Sequence, residues 1–309
     1  MANILITGGA GFIPGSLGTK LAFNSQDQIF AFDNFVTGDR AKIPKSNYPN
    51  THFIEGDVNV WNDIEGVFKE YNVHYVFHFA ALVGVKRTLE NPVSVLRDIE
   101  GIKNVLELSR IFGVKRIFYS SSSEVYGEPV HIPQNEHTTP LNSRLPYAIV
   151  KNAGEAFLRS YHKEYGLDYT IFRFFNTYGP QQSDDFVISR FIRAALINKD
   201  IAVYGDGSQT RTFCYIDDNV DLCERSLRSN LFVNDVVNVG SEVETTILDL
   251  AKLIIEITNS SSKIIHMPAL EEGDMTRRKP DNSKMKTALG RDLISLSDGL
   301  SKVIKVFTK

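Results

Sequence analysis

The chain has 309 residues, of which 42% are hydrophobic and 23% charged, a composition typical of globular proteins with one or two cores. A formal net charge of −3 gives no overall attraction to nucleic acid or to an anionic membrane, so we expect neither as a partner. The two cysteines and seven histidines match no zinc or disulfide pattern, so we expect no metal site and a reducing, cytoplasmic location.

The N-terminal segment predicts a strand, a glycine-rich turn, a helix and a second strand. The run "ANILI" is a buried strand, "TGGAGFIPGSL" supplies the turn from Thr7, and "PGSLGTKLAF" has helical spacing. The next apolar run, "QIFAF", ends at Asp33, 22 positions after Gly11. This order predicts a dinucleotide-binding site, in which the helix N-terminus stabilises the pyrophosphate.

Strands continue to alternate with helices through the first 175 residues. The strand-like runs are "THFIEGD", "VHYVFHFAA", "VKRIFYSSSS" and "DYTIFRFFN", and helical patterns are clearest at 92–112 and 146–165. This alternation predicts an α/β fold with a Rossmann-type, doubly wound parallel sheet. The later pattern is less regular, with helices near 187–198, 247–258 and 296–307. We therefore expect a dinucleotide-binding domain at 1–176, to which 215–241 returns, and a smaller α/β substrate domain at 177–309.

The strongest chemical signal combines a serine-rich strand end with a tyrosine and a lysine. "SSSEVYG" follows a buried strand, which places hydroxyl groups where ligands of open α/β sheets bind. "YAIVK" then puts Tyr147 and Lys151 four positions apart, on one side of a helix. A lysine charge beside Tyr147 would lower the tyrosine pKa from its ordinary value of about 10. Such a tyrosine can remove a sugar hydroxyl proton while hydride passes to NAD⁺.

These motifs resemble those of the extended short-chain dehydrogenases/reductases that act on nucleotide sugars as epimerases, dehydratases and decarboxylases. Further matching stretches run along the whole chain: "GDV" at 56–58, "HFAA" at 78–81, "RFFNTYGP" at 173–180, "YGDGSQTR" at 204–211 and "RRKPD" at 277–281. The resemblance implies that the cofactor is NAD and that the substrate is a nucleotide sugar, expected to be UDP-linked. It also implies a homodimer in which Pro92–Phe112 and Tyr147–Tyr165 form a four-helix bundle. Apolar residues on more than one side of the first helix support this pairing: Val95, Ile99, Ile102, Val105, Leu106 and Leu108.

The same resemblance implies roles for individual residues. Ser122, Tyr147 and Lys151 would be catalytic, and Asp33 would bind the adenosine ribose, which favours NAD over NADP. The residues implied to contact NAD are Gly8, Gly11, Phe12, Ile13, Asp33, Asn34, Asp57, Val58, Phe79, Ala80, Ala81, Tyr147, Lys151 and Phe174. The residues implied to contact the nucleotide sugar are Ser123, Arg144, Asn176, Val187, Tyr204, Arg211 and Arg278, of which Asn176, Arg211 and Arg278 would hold the diphosphate.

Pro14 departs from the family pattern, which has a glycine at this position. Because proline disfavours helical angles in the residue before it and is tolerated at the first helical position, we expect the helix to begin at or just after Pro14. The N–H groups of Phe12 and Ile13 would then serve the pyrophosphate, and Gly15 would restore part of the space taken by the proline ring. We expect NAD binding to persist, although weakened.

The reaction that comes after oxidation at C4 is left open by the sequence. Ser123–Glu124 stands where dehydratases of this group carry an Asp–Glu pair, so the acid that would help to expel the 6-hydroxyl is missing. "SEVYG", Arg144 and Arg278 resemble UDP-glucuronate decarboxylases, whereas "HFAALVGVKRTLENP" is more similar to 4-epimerases and dehydratases. We favour a decarboxylase in which Glu124 is also catalytic. A UDP-sugar 4-epimerase, a dehydratase and an inactive NAD-binding sensor or scaffold remain as alternatives.

Overall fold

The computed structural model describes residues 1–24, 26–44, 48–84, 88, 90–268 and 277–308. The loop predicted from "HFAALVGVKRTLENP" lies partly outside these ranges, at 85–87 and 89. Among the helices in the described part of the chain, none is long and apolar enough to cross a membrane.

A seven-stranded sheet, with six strands from residues 3–174 and a seventh from 235–239, confirms the Rossmann-type α/β fold predicted from the alternating pattern. Its strands in chain order are β1 (Asn3–Thr7), β2 (Gln28–Asp33), β3 (Thr51–Glu55), β4 (Tyr75–His78), β5 (Arg116–Ser122), β6 (Asp168–Phe174) and β11 (Asp235–Val239). Their order in space is β11-β6-β5-β4-β1-β2-β3, and β1 pairs in parallel with both β2 and β4. The strand order therefore reverses beside β1, and ligands of open α/β sheets bind at the carboxyl ends of the strands at such a point.

Helices follow the strands, as the right-handed crossovers of a doubly wound sheet require. Those described are α1 (Phe12–Asn24), α2 (Trp61–Tyr71), α3 (Pro92–Leu96), α4 (Asp98–Ile111), α5 (Pro146–Tyr165), α6 (Val187–Leu196), α7 (Ile216–Arg228), α8 (Ile247–Thr258), α9 (Ser283–Leu289) and α10 (Leu296–Phe307). Three of them, α5, α8 and α10, have the predicted bounds. The single helix predicted at 92–112 is instead two helices, α3 and α4, joined at Arg97.

The chain divides into two compact units. The first comprises 1–125, 143–173 and 220–237, and the second comprises 126–142, 174–219 and 238–309. The second unit contains small sheets in which β7 (Thr177–Tyr178) pairs with β10 (Cys214–Tyr215), β8 (Ile201–Tyr204) with β13 (Ile264–Met267), and β9 (Thr210–Thr212) with β12 (Glu244–Thr246). The chain therefore crosses between the two units more often than we expected. The expectation was one boundary at 176 and one return to the first domain at 215–241.

Helix α1 begins at Phe12, so the prediction of a start at or just after Pro14 is wrong. Pro14 is the third helical residue, and an N–H group in the first turn has no acceptor within the helix, so its absence costs no hydrogen bond there. The ladder resumes at the next residue, where the Gly15 N–H donates to the Gly11 carbonyl at 3.0 Å.

Gly15 allows α1 to approach the short 3-10 helix at Arg40–Lys42. A Cβ atom at Gly15 would lie 2.2 Å from the Lys42 carbonyl oxygen, closer than any real contact. A backbone carbonyl cannot move aside as the end of a side chain can. Glycine is therefore required at position 15 for packing, in addition to any effect on the cofactor.

Gly15→Ala should lower the free energy of unfolding by about 1–3 kcal/mol, because the methyl group overpacks a contact made by backbone. Gly66→Ala is the matched control, since Gly66 also lies inside a helix and a Cβ atom there meets nothing within 4 Å. That control should raise the free energy of unfolding by up to about 1 kcal/mol. Urea denaturation of both variants measures the difference, and equal stability of the two would contradict the close approach.

Candidate active site

Strand β5 ends in the serine-rich segment and continues into a single 3-10 turn, Ser123–Tyr126. Ser122 is only 9% exposed, and its Oγ accepts a hydrogen bond from the Glu124 N–H at 3.2 Å. The hydroxyl of Ser122 and the backbone of Glu124 are thus held together at the carboxyl end of the sheet. Ser123 is buried, so little of its side chain is available to a ligand.

Helix α5 places Tyr147 in its first turn and Lys151 one turn later. The helix begins at Pro146, whose missing N–H is not needed at a helix start. Lys151 Nζ lies 5.7 Å from the ring centroid of Tyr147 and 5.2 Å from that of Tyr119. Burial lowers the pKa of Lys151 to about 8, although the charge of Asp98 acts in the opposite direction. The ammonium group is therefore close to Tyr147 and is more acidic than that of an exposed lysine.

A row of side chains crosses three neighbouring strands beneath this lysine. Thr7, His78 and Tyr119 are register partners on β1, β4 and β5. Thr7 Oγ1 accepts from the N–H groups of Phe79 and Ala80, each at 3.2 Å, and lies 2.8 Å from His78 Nδ1. The threonine hydroxyl has its own proton to donate to that nitrogen, an arrangement that suits a neutral His78. Burial, and then the nearby Lys151 charge, lower the pKa of His78 to about 3.

The glycine turn lies against the ends of two strands. Gly8 has a φ of +72°, and a Cβ atom on it would be 2.9 Å from the Ala80 nitrogen. Asp33, at the end of β2, accepts from the Ala10 N–H at 3.0 Å through Oδ2 and from the Phe35 N–H at 2.7 Å through Oδ1. Two backbone N–H groups therefore orient one carboxylate beside the turn, with acceptor capacity left over for hydroxyl groups.

The other predicted cofactor residues are placed by the strand ends of the sheet. Asp57 and Val58 follow β3, where Asp57 Oδ1 accepts from the Asn59 N–H at 2.8 Å and Val58 is buried. Phe79, Ala80 and Ala81 follow β4, and Asn34 follows β2 with its side chain exposed. Phe174, at the end of β6, belongs to the second unit.

The second unit brings the predicted diphosphate residues together around Thr212. Asn176 Nδ2 donates to the Thr212 carbonyl at 3.0 Å, next to the buried Arg211. On the opposite strand, Glu244 pairs in register with Thr212 and accepts the Arg277 guanidinium at 2.5 and 2.9 Å. This ion pair anchors the segment that carries Arg278, which is 7% exposed.

The remaining predicted substrate residues are spread over both units. Val187 begins α6, Tyr204 ends β8 with the Arg190 guanidinium 5.6 Å from its ring centroid, and Arg144 is exposed just before α5.

The profile of the NAD dependent epimerase/dehydratase family matches residues 4–240. The chain belongs to this family. UDP-glucuronic acid decarboxylase 1 of Danio rerio is 35% identical over 99% of this chain and 73% of its own length. A putative UDP-glucose 4-epimerase of Methanocaldococcus jannaschii is 34% identical over 97% of both chains. The crystal structure of UDP-glucose 4-epimerase with UDP-glucose from Thermotoga maritima has a TM-score of 0.92 and 32% identity, and the match covers 99% of this chain and 98% of that one.

Membership of this family makes the chain an enzyme of nucleotide-sugar metabolism with NAD as its cofactor. The geometry of the first unit fits this cofactor. Gly8 leaves the backbone of the turn accessible, at a position where a Cβ atom would collide with Ala80. The first turn of α1 presents N–H groups that have no acceptor within the helix. Asp33 supplies a carboxylate that is oriented by backbone hydrogen bonds. Arg40, a nearby basic residue, forms a surface ion pair with Glu55 at 2.9 Å.

Two residues near Lys151 were not predicted from the sequence. Asp98, in the first turn of α4, accepts from the Leu82 N–H at 2.7 Å and supplies a negative charge that acts on Lys151. Tyr119 lies beneath Lys151, and burial raises its pKa, so the phenol stays neutral. No sequence motif marks either residue, because each contacts residues that are at least 16 positions away in the sequence.

Pro14→Gly should leave NAD affinity unchanged or raise it, because the proline ring packs beside Gly11, with Cγ 3.1 Å from where a Cβ atom would be. The free energy of unfolding should fall by about 1 kcal/mol, since glycine gives the unfolded chain more conformations. Pro140→Gly, at an exposed proline, is the control for this second effect, and calorimetric NAD titration measures the first. A tenfold loss of NAD affinity, about 1.4 kcal/mol, would instead make the proline an adapted part of the site.

Proposed function

We propose that this enzyme oxidises a nucleotide sugar, UDP-linked, at C4, with Tyr147 as the base. Ser122 at the end of β5 and Tyr147 at the start of α5 both belong to the first unit, and Lys151 is buried one turn beyond Tyr147. The lysine charge favours the phenolate of Tyr147, which takes the C4 hydroxyl proton, while the Ser122 hydroxyl orients that group. NAD, when bound, accepts the hydride from the same carbon.

The cofactor contacts proposed from the sequence are supported by the glycine turn and Asp33. The Asp33 carboxylate accepts the ribose hydroxyls, and the N–H groups of Phe12 and Ile13 bind the pyrophosphate. Asn176, Arg211 and Arg278 bind the diphosphate of the substrate, where the two guanidinium groups can form charge-assisted pairs of hydrogen bonds. A cytoplasmic location is supported by Cys214 and Cys223, which are both buried and unbridged.

Of the possible overall reactions, we favour decarboxylation of UDP-glucuronate. Oxidation at C4 turns the uronate into a β-keto carboxylate, which loses CO₂ without an acid to expel a leaving group. Position 123 is accordingly a serine, where dehydration would require an acidic partner for Glu124. The 35% identity to a UDP-glucuronic acid decarboxylase supports this choice.

A UDP-sugar 4-epimerase is the second candidate, favoured by relatives of nearly equal identity and by the high TM-score to one such enzyme. Epimerisation needs only the oxidation at C4, rotation of the ketose and return of the hydride. Incubation with UDP-glucuronate, UDP-glucose, UDP-GlcNAc and dTDP-glucose, with mass and NMR analysis of products, tests both. Loss of CO₂ from UDP-glucuronate identifies the decarboxylase, and a product of unchanged mass and inverted C4 identifies the epimerase.

Tyr147→Phe should slow hydride transfer by about 10²–10⁴-fold, because it removes the general base. Glu124→Gln should slow product formation much more than the first reduction of NAD⁺, because Glu124 acts after oxidation, near C5 and C6. Single-turnover absorbance of NADH, measured beside product formation, separates the two steps.

Glu65→Gln is the matched control for the change at Glu124. Glu65 forms a surface ion pair with Lys69 on α2, and neither residue is among those predicted for the site. It should leave both steps unchanged. Near-wild-type product formation by Glu124→Gln with a uronate would contradict the decarboxylase mechanism and favour the epimerase.

We also propose a homodimer, although not through the residues on which the expectation rested. Of those six apolar residues, five are buried within the chain: Val95, Ile102, Val105, Leu106 and Leu108. Exposed apolar side chains of these helices are instead Val93 and Leu96 on α3, Ile111 on α4, and Ile149 and Tyr165 on α5. A symmetric contact would cover them.

Light scattering should therefore give the mass of a dimer at micromolar concentration, and Leu96→Glu should shift it to that of a monomer. Val306→Glu changes an equally exposed apolar residue on α10 and is the control. A monomeric wild type would contradict the proposal.

A further inference from the structure

A buried ion pair ties the catalytic helix to the two strands beneath it. Glu155 on α5 accepts Arg173 Nε through Oε1 at 2.8 Å and Arg173 Nη2 through Oε2 at 2.7 Å. The Ser121 hydroxyl donates to the same Oε1 at 2.7 Å. One carboxylate therefore joins α5 to β6 through Arg173 and to β5 through Ser121.

These groups are almost fully removed from solvent. Glu155 is 0%, Arg173 1% and Ser121 2% exposed. Burial opposes ionisation of Glu155, but its hydrogen bond and ion pair with Arg173 outweigh this and hold its pKa below the ordinary value. Both partners are charged, and the half-exposed Arg159 reaches Oε2 from the surface at 2.9 Å.

The position of this pair relates it directly to the catalytic residues. Ser121 immediately precedes Ser122, and Glu155 lies one turn after Lys151 on the same side of α5. Between them, α5 comes so close to β5 that a Cβ atom at Gly154 would be 2.2 Å from the Tyr119 hydroxyl. Small changes in the depth or rotation of α5 would therefore move Tyr147 and Lys151 relative to the end of β5.

We propose that Glu155 is a positioning residue, whose carboxylate, held by Arg173 and Ser121, sets the rotation and depth of α5 so that Tyr147 and Lys151 meet the substrate hydroxyl beside Ser122. This inference rests on the proposed oxidation at C4. An apolar contact would pack the helix equally well but would allow it to slide. The bidentate pair accepts one relative orientation of helix and strand, since both parallel hydrogen bonds must form at once.

Glu155→Gln and Ser121→Ala test the proposal in the full-length enzyme. Glu155→Gln should slow single-turnover reduction of NAD⁺ by about 100-fold, the loss expected from a misplacement near 1 Å, with little change in NAD affinity. Ser121→Ala should slow it by a smaller factor and barely change the melting temperature. Equal rates per folded molecule in the wild type and Glu155→Gln would overturn the proposal.

A double variant separates positioning from stability. Glu155→Leu combined with Arg173→Met removes both charges, and such replacements often preserve or increase stability. If the pair positions the helix, this variant melts near the wild-type temperature but still transfers hydride slowly. If the pair is only structural, the rate recovers together with the stability, which would overturn the proposal even where Glu155→Gln fails to fold.

Arg228→Gln is the matched control. Arg228 pairs with Asp27, a carboxylate that is 7% exposed, in the same unit but away from α5. The Arg228→Gln variant should have a lower melting temperature than the wild type, but its rate of hydride transfer per folded molecule should be unchanged.

Ionisation of Tyr147 gives a readout that needs no sugar. It is measured as the phenolate absorbance of each variant minus that of the same variant carrying Tyr147→Phe. Removing the negative charge of Glu155 would by itself lower the pH midpoint of Tyr147 ionisation. Displacing the positive charge of Lys151 instead raises that midpoint by about one pH unit or more. A rise in Glu155→Gln and in the double variant, absent from Arg228→Gln, supports the proposal, and no rise overturns it. If the wild type reduces NAD⁺ with none of the sugars, the proposed function is wrong and this measurement alone decides the role of Glu155.

Discussion

The close approach of helix α5 to strand β5 is the constraint on which the catalytic geometry depends. Gly154 lies where no larger residue fits against Tyr119, and Lys151, one turn earlier, lies over the same ring. Because the helix carries Tyr147, which we propose as the base, and the strand ends in Ser122, their separation would control the proposed proton transfer. The contact of Gly154 with the buried Tyr119 side chain and the buried ion pair of Glu155 with Arg173 together restrict this separation.

Burial controls the charge of the site as much as its shape. His78 stays neutral, Lys151 has a pKa of about 8, and Tyr119 remains protonated because all three lie within the first unit away from water. A mobile proton near Lys151 and Tyr147 suits a reaction in which a hydroxyl proton must leave and return near neutral pH. The Asp98 carboxylate moderates the effect of burial on Lys151, so the cation is not lost entirely.

We propose that hydride transfer and the later chemistry use different residues. Tyr147 and Lys151 lie on a helix that packs on the sheet, whereas Glu124 lies in the turn after β5. On this proposal, substitution in that turn changes the fate of a 4-keto sugar without disturbing hydride transfer. The residues proposed to hold the diphosphate belong to the second unit.

The sequence by itself determined the fold class and most of the strands and helices, and it predicted the residues of the candidate site. Long periodic segments such as α5 and α8 were predictable because helix formation reflects spacing within one turn, and "YAIVK" was recognisable because its two functional residues share that turn. The start of α1 was mispredicted because the preference of a residue before proline is weaker than the packing of the whole turn. Only the tertiary structure decided the contact of Gly15 with Lys42, the pairing of Thr7 with His78, and the pairing of Glu155 with Arg173. Those partners lie between 18 and 71 positions apart, and no local pattern encodes which distant residues the sheet brings together.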